Sequence, residues 1–396
     1  MQNYISALIK ASVQDFIFSN EHTDTAALSL QQKEIEGVPA SWIAEQIKSR
    51  KKIKHKLPTW FQSKGIVYPP VFNLEQSSSE LTAKYKAGIA KKLKAKSIAD
   101  VSAGFGVDAF FFSQVAAQML HVEPDENLIA LAQHNHQLLG ANNLQYHPLR
   151  AEEFINTNEK FDFIFIDPSR RSASGRKIFL LKDCEPDVLN LQEDLLKKAQ
   201  HVLIKTSPML DIDAGTKALQ HVKEVYVLSV NNECKEVLFL LEANYTGEVK
   251  VFAVLLNDAE TKEFVADKST QAIDFSQAQQ YLYEPDAAII KAGMADLLAK
   301  QFSLKKLYPN TMLYTSENLQ QNFPGRIFKV LGPVKLNRES LQLYFPDYAA
   351  SISARNYPAS AEALRKKSKL KEHDKFFLWA FKDEQGKKLY ACERLH

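Results

Sequence analysis

Three short segments carry residue types that can do chemistry together. The first, Asp100-Val-Ser-Ala-Gly-Phe-Gly106, closes an apolar run and precedes a helix-forming stretch. Glycines placed there let the chain turn tightly and let a ligand approach backbone that a side chain would screen. The second, His121-Val-Glu-Pro-Asp125, closes the next apolar run with Glu123, where a carboxylate can accept both hydroxyls of a ribose lying across strand ends. The third, Phe161-Asp-Phe-Ile-Phe-Ile-Asp167-Pro-Ser-Arg-Arg171, ends a further run in Asp-Pro. Gly104, Gly106 and Ala109 satisfy the G-x-G-x-x-A spacing of nicotinamide-cofactor sites, so an oxidoreductase has to be weighed. Against it, Asp100 precedes the glycines, where it suits a cationic amino-acid group and not a pyrophosphate. Asp100 or Glu123 alone would also be explained by capping or turn formation.

The elements that must position these residues follow from apolar periodicity. Strands are expected at Ile98–Val101, Leu120–Glu123, Leu144–His147, Phe161–Ile166, Val202–Ile204, Val225–Val230 and Val237–Leu241. Amphipathic stretches at 107–118, 125–139, 185–199 and 213–222 alternate with them, which predicts parallel strands joined by crossover helices in a doubly wound, seven-stranded sheet. Only Asn231 to Glu236 separates the last two runs, too short for a crossover helix, so they are expected to pair antiparallel. Residues 1–90 read as a helical substrate-binding region, with helical spacing in Ile5-Leu8-Ile9-Val13-Phe16-Ile17, a proline break from Leu57-Pro-Thr-Trp60 and a polar cap at Glu75–Glu80 running into another helix. Residues 91–245 read as the sheet domain and 246–396 as a separate α+β domain opening with a strand at Val249–Leu256. In that last part Pro285–Met294 reads as helix and Arg326–Leu331 as strand.

Composition narrows the class. The chain has 396 residues, 45% hydrophobic and 24% charged, near the globular average, so disorder throughout is excluded. No apolar run is long enough to cross a membrane, the start lacks a signal-peptide layout, and three scattered cysteines make neither a disulfide framework nor a zinc site. A cytoplasmic protein without a metal is expected; the oligomeric state is left open. Net charge is only +3, but positive charge is concentrated. Lys48-Ser-Arg-Lys-Lys-Ile-Lys-His-Lys56 has six cations and no acid, including Lys51, Lys52 and Lys54. Arg355 to Lys371 has six, among them Arg365, Lys366 and Lys367, against Glu362 alone. Each run alone reads as a solvated face; together they point to a polyanionic partner. Trp60, Tyr68 and Tyr357 lie beside them as core residues or as planes for stacking unpaired bases. His134 and His136 are expected on an exposed helix end, pointing apart.

Residues 75–242 resemble the class I S-adenosylmethionine-dependent methyltransferases, with their Rossmann-like sheet. The resemblance implies that Asp100, Ser102, Ala103, Gly104, Phe105 and Gly106 hold the methionine part of the cofactor and that Glu123 binds its ribose. It places Ala151 and Glu152, in Arg150-Ala-Glu-Glu153, near the adenine. Asn322-Phe-Pro-Gly-Arg326, Arg355-Asn-Tyr-Pro358 and Leu364-Arg-Lys-Lys-Ser-Lys-Leu370 resemble the THUMP-like domain that follows such methyltransferases in bacteria. With Lys51 to Trp60 and Glu75 to Glu80, the whole chain is similar to that family of RNA methyltransferases.

Asp167-Pro168-Ser169-Arg170 stands where nitrogen-directed nucleic-acid methyltransferases carry Asp or Asn, two prolines and an aromatic residue. An exocyclic amine conjugates into its ring and is a poor nucleophile; a carboxylate accepting its hydrogen bond localises the lone pair on nitrogen, and proline fixes the turn that presents it. Asp167 is therefore expected both to act in catalysis and to border the cofactor. Ser169 replaces the second proline and Arg170 the aromatic residue, which leaves adenine N6, guanine N2 or another amine open as the target. Arg170 and Arg171 can stack or grip phosphate. Lys205, after the fifth strand in Lys205-Thr-Ser-Pro208, is a substrate contact or a surface lysine, and no cysteine lies there to support attack through ring carbon C5. Cys184 reads as buried filler. A methyltransferase of a protein or small molecule would leave the basic runs as plain solubility surface.

Overall fold

The computed structural model describes residues 2–31, 33–170, 181–265 and 272–395. The chain forms two compact units, Met1–Val225 with Glu236–Val249, and Tyr226–Lys235 with Lys250–His396.

The main sheet contains β1 (Ser97–Asp100), β2 (Gln118–Val122), β3 (Leu144–His147), β4 (Phe161–Ile166), β5 (Ala199–Thr206), β6 (Val222–Val230), β7 (Glu233–Glu242), β8 (Lys250–Leu256) and β9 (Thr261–Val265). Its order is β9-β8-β6-β7-β5-β4-β1-β2-β3. β1 to β5 pair in parallel, with crossover helices such as Val107–Ser113, Glu126–Leu138 and Val188–Lys198 between them. β4 is buried along its length from Phe163 to Ile166, as a strand covered on both faces must be. β7 returns antiparallel to β5, with Val237 opposite Thr206. The turn before β7 is tighter than the spacing implied: Asn231 and Asn232 both have positive φ, 51° and 65°, the conformation of a two-residue hairpin turn that asparagine tolerates.

The doubly wound architecture is as expected, but the strand number is corrected. Among the described residues the sheet has nine strands and not seven, because the strand expected to open the C-terminal domain instead continues the sheet. Without β8, β6 would be an open edge with unpaired backbone groups. Tyr226 stacks on Phe252 with ring centroids 4.9 Å apart.

The N-terminal helices belong to the first unit. The expected helix at Ile5–Ile17 is two, Gln2–Leu8 and Ala11–Ser19, broken at Ile9-Lys10. Their apolar faces, with Ile43 and Ile47 of helix Ala40–Ile53, form one core with Val67 and with Leu131 of helix Glu126–Leu138. The polar stretch before residue 80 caps as read: Ser79 accepts from Thr82 N–H and starts helix Glu80–Lys92. Both oxygens of Glu80 are used by Thr59, which ties the Leu-Pro-Thr-Trp segment to that helix. Trp60 and Tyr68 are buried, Trp60 edge-on to Phe110 at 4.8 Å, so both are core and neither is a stacking platform.

In the second unit β10 (Tyr281–Pro285), β11 (Lys305–Tyr308), β12 (Thr311–Ser316), β13 (Gly325–Pro333), β14 (Ser351–Arg355), β15 (Phe376–Asp383) and β16 (Gly386–Arg394) form a sheet of order β11-β12-β10-β13-β16-β15-β14. The helix expected from Pro285 is shorter: β10 runs through Pro285, Asp286 caps, and helix follows only at Ala287–Lys291. Trp379, Phe328, Leu282 and Leu313 sit in the core of one face, Leu341, Phe345, Leu364 and Leu378 in that of the other.

Candidate active site

β1 ends at Asp100, and the chain then turns through Ser102-Ala-Gly-Phe-Gly106 into helix Val107–Ser113. The two glycines serve different ends. Gly104 has φ +53°, and a Cβ built there would meet nothing within 4 Å, so the turn leaves open space beside its backbone. Gly106 has φ +85°, and a Cβ would lie 2.6 Å from the His136 ring. His136 is buried and not on an exposed helix end, which corrects the expectation. Burial pushes it down to about 4, so the ring is neutral. A neutral ring has one donor: Nε2 donates to the Gly106 carbonyl at 2.8 Å, and Nδ1 accepts from Tyr146 Oη at 3.0 Å. His134 contacts the Gly65 carbonyl at 2.9 Å through Nε2.

Glu123 follows β2 and braces the turn from the side. Its Oε2 accepts from Gly104 N–H and its Oε1 from Asp125 N–H, each at 3.0 Å. Burial raises its pKa, and the two backbone donors oppose that. Each oxygen keeps a second lone pair for a hydroxyl. Ala103 and Phe105 are buried and hold the turn by packing. Ala151 is buried at the start of the short helix Ala151–Phe154, while Glu152 beside it is exposed.

Asp100 and Asp167 are joined through one hydroxyl. Asp100 Oδ1 accepts from Ser102 N–H at 3.0 Å and from Ser102 Oγ at 3.4 Å, and the same Oγ accepts from Asp167 N–H at 2.6 Å. The residue after β4 is thus fastened to the turn after β1, its neighbour in the sheet. Burial raises the pKa of Asp100 well above the carboxylate range, and Asp108 and Asp167 nearby add to it. Burial also raises Asp167, against the pull of Lys205, whose ammonium pairs directly with its Oδ2. Burial disfavours the Lys205 charge, but Asp167, Glu236 and Asp108 outweigh that and raise its pKa. Lys205 is therefore no surface lysine. Pro168 is buried, and Ser169 Oγ donates to the Glu185 carbonyl at 3.2 Å, where Ser169-Arg170 pairs with Cys184-Glu185. Cys184 is half-buried. Arg170 is described by its backbone alone, and Arg171 lies outside the described residues.

Behind these groups is a buried network that the sequence reading missed. Lys86 is wholly inaccessible; its ammonium lies 2.8 Å from Asp108 Oδ1, 3.1 Å from Glu236 Oε2 and 2.6 Å from Ser78 Oγ, which donates to Asp108 Oδ2. The signal was present: Lys86 shares a helix face with Ala83 and Ala90, and Asp108 interrupts an otherwise apolar turn. Asp100, Asp108, Asp167 and Glu236 face only Lys86 and Lys205, so acids exceed cations in the site even with Asp100 protonated. A pyrophosphate would be repelled there, whereas a ligand whose ammonium and sulfonium outnumber its one carboxylate would be favoured. Open backbone at Gly104, the Glu123 carboxylate beside it and an acidic surround fit S-adenosylmethionine and do not fit a nicotinamide dinucleotide. Among the described residues no group of His, Cys, Asp and Glu is arranged to hold a metal ion, and no helix is long and apolar enough to cross a membrane.

The basic runs are largely spent on the protein itself. Lys51 donates to the Thr23 carbonyl, Lys52 pairs with Glu75 and Lys54 with Glu21, while Arg50 is buried over the rings of Phe18 and Phe61. Arg365 pairs with Glu372 and Lys366 with Glu362; Lys367 is exposed on the same helix, Ala361–Ser368.

Comparison with known proteins places the C-terminal part. Residues 281–324 match a ferredoxin-like domain model and residues 325–394 a THUMP domain-like model. Over its whole length the chain superimposes on 99% of a protein from Porphyromonas gingivalis W83 with a TM-score of 0.81 and 27% identity. A protein from Streptococcus mutans in complex with SAH matches 40% of this chain over 96% of its own, with 16% identity and a TM-score of 0.30. One from Pyrococcus horikoshii matches 50% over 98%, with 12% identity and a TM-score of 0.35. All three are described as "putative" methyltransferases, the last as an RNA methyltransferase. No curated protein matches the chain.

Proposed function

We propose that this chain, which ends in a THUMP-like domain, is an S-adenosylmethionine-dependent methyltransferase that modifies a base nitrogen of ribosomal or transfer RNA. The observation that carries the chemistry is the placement of Asp167, bound through its N–H to the Ser102 hydroxyl of the glycine turn and through its carboxylate to Lys205. When bound, S-adenosylmethionine supplies a methyl group made electrophilic by its sulfonium. Asp100 and the backbone at Gly104 would hold its amino-acid part, Glu123 its ribose, and Ala151 with Glu152 its adenine. Asp167 accepts a hydrogen bond from the exocyclic amine and so localises the lone pair on nitrogen. Lys205 keeps that carboxylate ionised despite burial, and Pro168 holds the turn that points it. Positioning supplies much of the rate in such a displacement.

RNA as the substrate is supported by the THUMP-like domain; we assign residues 246–396, whose first two strands extend the main sheet, to substrate binding mainly through 281–394, residues 91–245 to cofactor and chemistry, and 1–90 to bracing the site through Lys86. Calorimetry tests the cofactor: micromolar S-adenosylmethionine binding lost in Asp100→Ala, with no binding of NADH, is expected. Transfer of a labelled methyl group to RNA from cells lacking this protein tests the substrate. Cofactor binding with transfer only to protein or small molecules would overturn the RNA assignment and leave the methyltransferase standing.

A further inference from the structure

Two C-terminal motifs, Asn322-Phe-Pro-Gly-Arg326 and Arg355-Asn-Tyr-Pro358, are separated by twenty-eight residues in the chain. Folding brings both arginines to one carboxylate. Glu284, in β10, stands opposite Arg326 of β13, and its side chain is only 2% exposed. Its Oε2 accepts from Arg326 Nε at 2.7 Å and from Nη2, and its Oε1 accepts from Arg355 Nη2 at 2.6 Å. Gly325 makes this possible, since a Cβ there would lie 2.2 Å from the Glu284 carbonyl oxygen. The Arg326 guanidinium also lies within 6.0 Å of the Phe328, Phe377 and Trp379 ring centres. One buried acid thus fixes two guanidinium planes.

These arginines open onto a cavity of about 250 Å³ that is also lined by Arg394, Asn231 and Asn232. Three arginines to one glutamate leave the lining with a net charge of two positive. Arg355 also borders a second cavity of about 780 Å³, where Lys382, Lys387 and Tyr357 add cations and a ring. The smaller volume lies below the roughly 300–1,000 Å³ of small-molecule sites and suits an anion with part of its attached group. Guanidinium forks held in place match phosphate oxygens, and each retains donors beyond those given to Glu284.

We infer that the Arg326–Arg355–Arg394 pocket is a phosphate site that grips the RNA substrate, either at a terminal phosphate or at an internal one. This rests on the RNA reading above. It differs from the lysines of the two basic runs, whose exposed ion pairs contribute little.

The test uses the full chain, with Arg394→Gln, which keeps both arginines that donate to Glu284, as the milder variant and Arg355→Gln/Arg394→Gln as the stronger one. Inorganic phosphate is expected to raise the melting temperature of the natural protein over chloride of equal ionic strength, and to lose that effect in both variants. Binding of a 20-nucleotide RNA should weaken at least tenfold in the double variant, with a shallower salt dependence by about 0.7 per phosphate lost. A 5′-phosphorylated RNA favoured over its 5′-hydroxyl form assigns the terminal phosphate; equal affinity assigns an internal one. Unchanged phosphate stabilisation in both variants, with cofactor binding intact, would overturn the site. If phosphate stabilises through these arginines but RNA does not bind, the site stands and the RNA reading falls.

Discussion

The proposed reaction needs Asp167 as a carboxylate in a place where burial favours the neutral acid. Burial raises its pKa and Lys205 lowers it again, so the acid limb of kcat/KM should lie above the ordinary aspartate value of about 3.9. Removing the cation removes the lowering influence: Lys205→Met is expected to move that limb to higher pH and leave the alkaline side in place. A pH profile with the limb unmoved would mean that another group titrates. Asp167→Asn keeps the shape and removes the charge; methyl transfer should fall by about 10²–10⁴-fold, the usual range for a positioned base, while calorimetry still detects the cofactor. The Asp-Pro pair was legible because both residues are adjacent in the chain. Its ion pair was not, because Lys205 is thirty-eight residues away and meets it only when β4 and β5 align.

At the scale of elements, the glycine turn separates conformational need from ligand need. Gly104→Ala meets open space and carries only the strain of a left-handed residue, about 1–2 kcal/mol, so its main loss should be in cofactor affinity. Gly106→Ala adds the collision with His136 and should lower the melting temperature much further. Chemical denaturation beside calorimetry separates the two. Helix Glu80–Lys92 is committed to the site in the same way. Lys86→Met leaves Asp108 and Glu236 buried without their cation and is expected to cost about 3–5 kcal/mol of stability. Helix boundaries near proline and serine were readable from local chemistry, as at Ser79 and Pro58. The break at Ile9-Lys10 has no such marker, and packing of both short helices on one core decides it.

For the molecule as a whole, the sheet edge matters. A chain ending at residue 249 keeps every proposed cofactor residue but loses β8, which leaves β6 with an open edge. Such a chain should self-associate at concentrations where the full chain does not, as read by size-exclusion chromatography with light scattering. Periodicity predicted the strand at Val249–Leu256 but not its sheet, because an apolar run states that it will pair and not with what.

The sequence by itself determined what depends on neighbours in the chain. Alternation of strands and helices, the glycine turn after β1, the acid after β2 and the Asp-Pro after β4 are local patterns with local physical causes. Tertiary structure decided what depends on distant groups meeting. The charge of a lysine does not reveal whether it will face solvent, a carbonyl or a buried acid. Lys51, Lys52 and Lys54 are spent on the protein surface, while Lys86 disappears into the core. Two arginines in separate motifs become one anion-facing pair only because the register of β10 against β13 sets Glu284 between them.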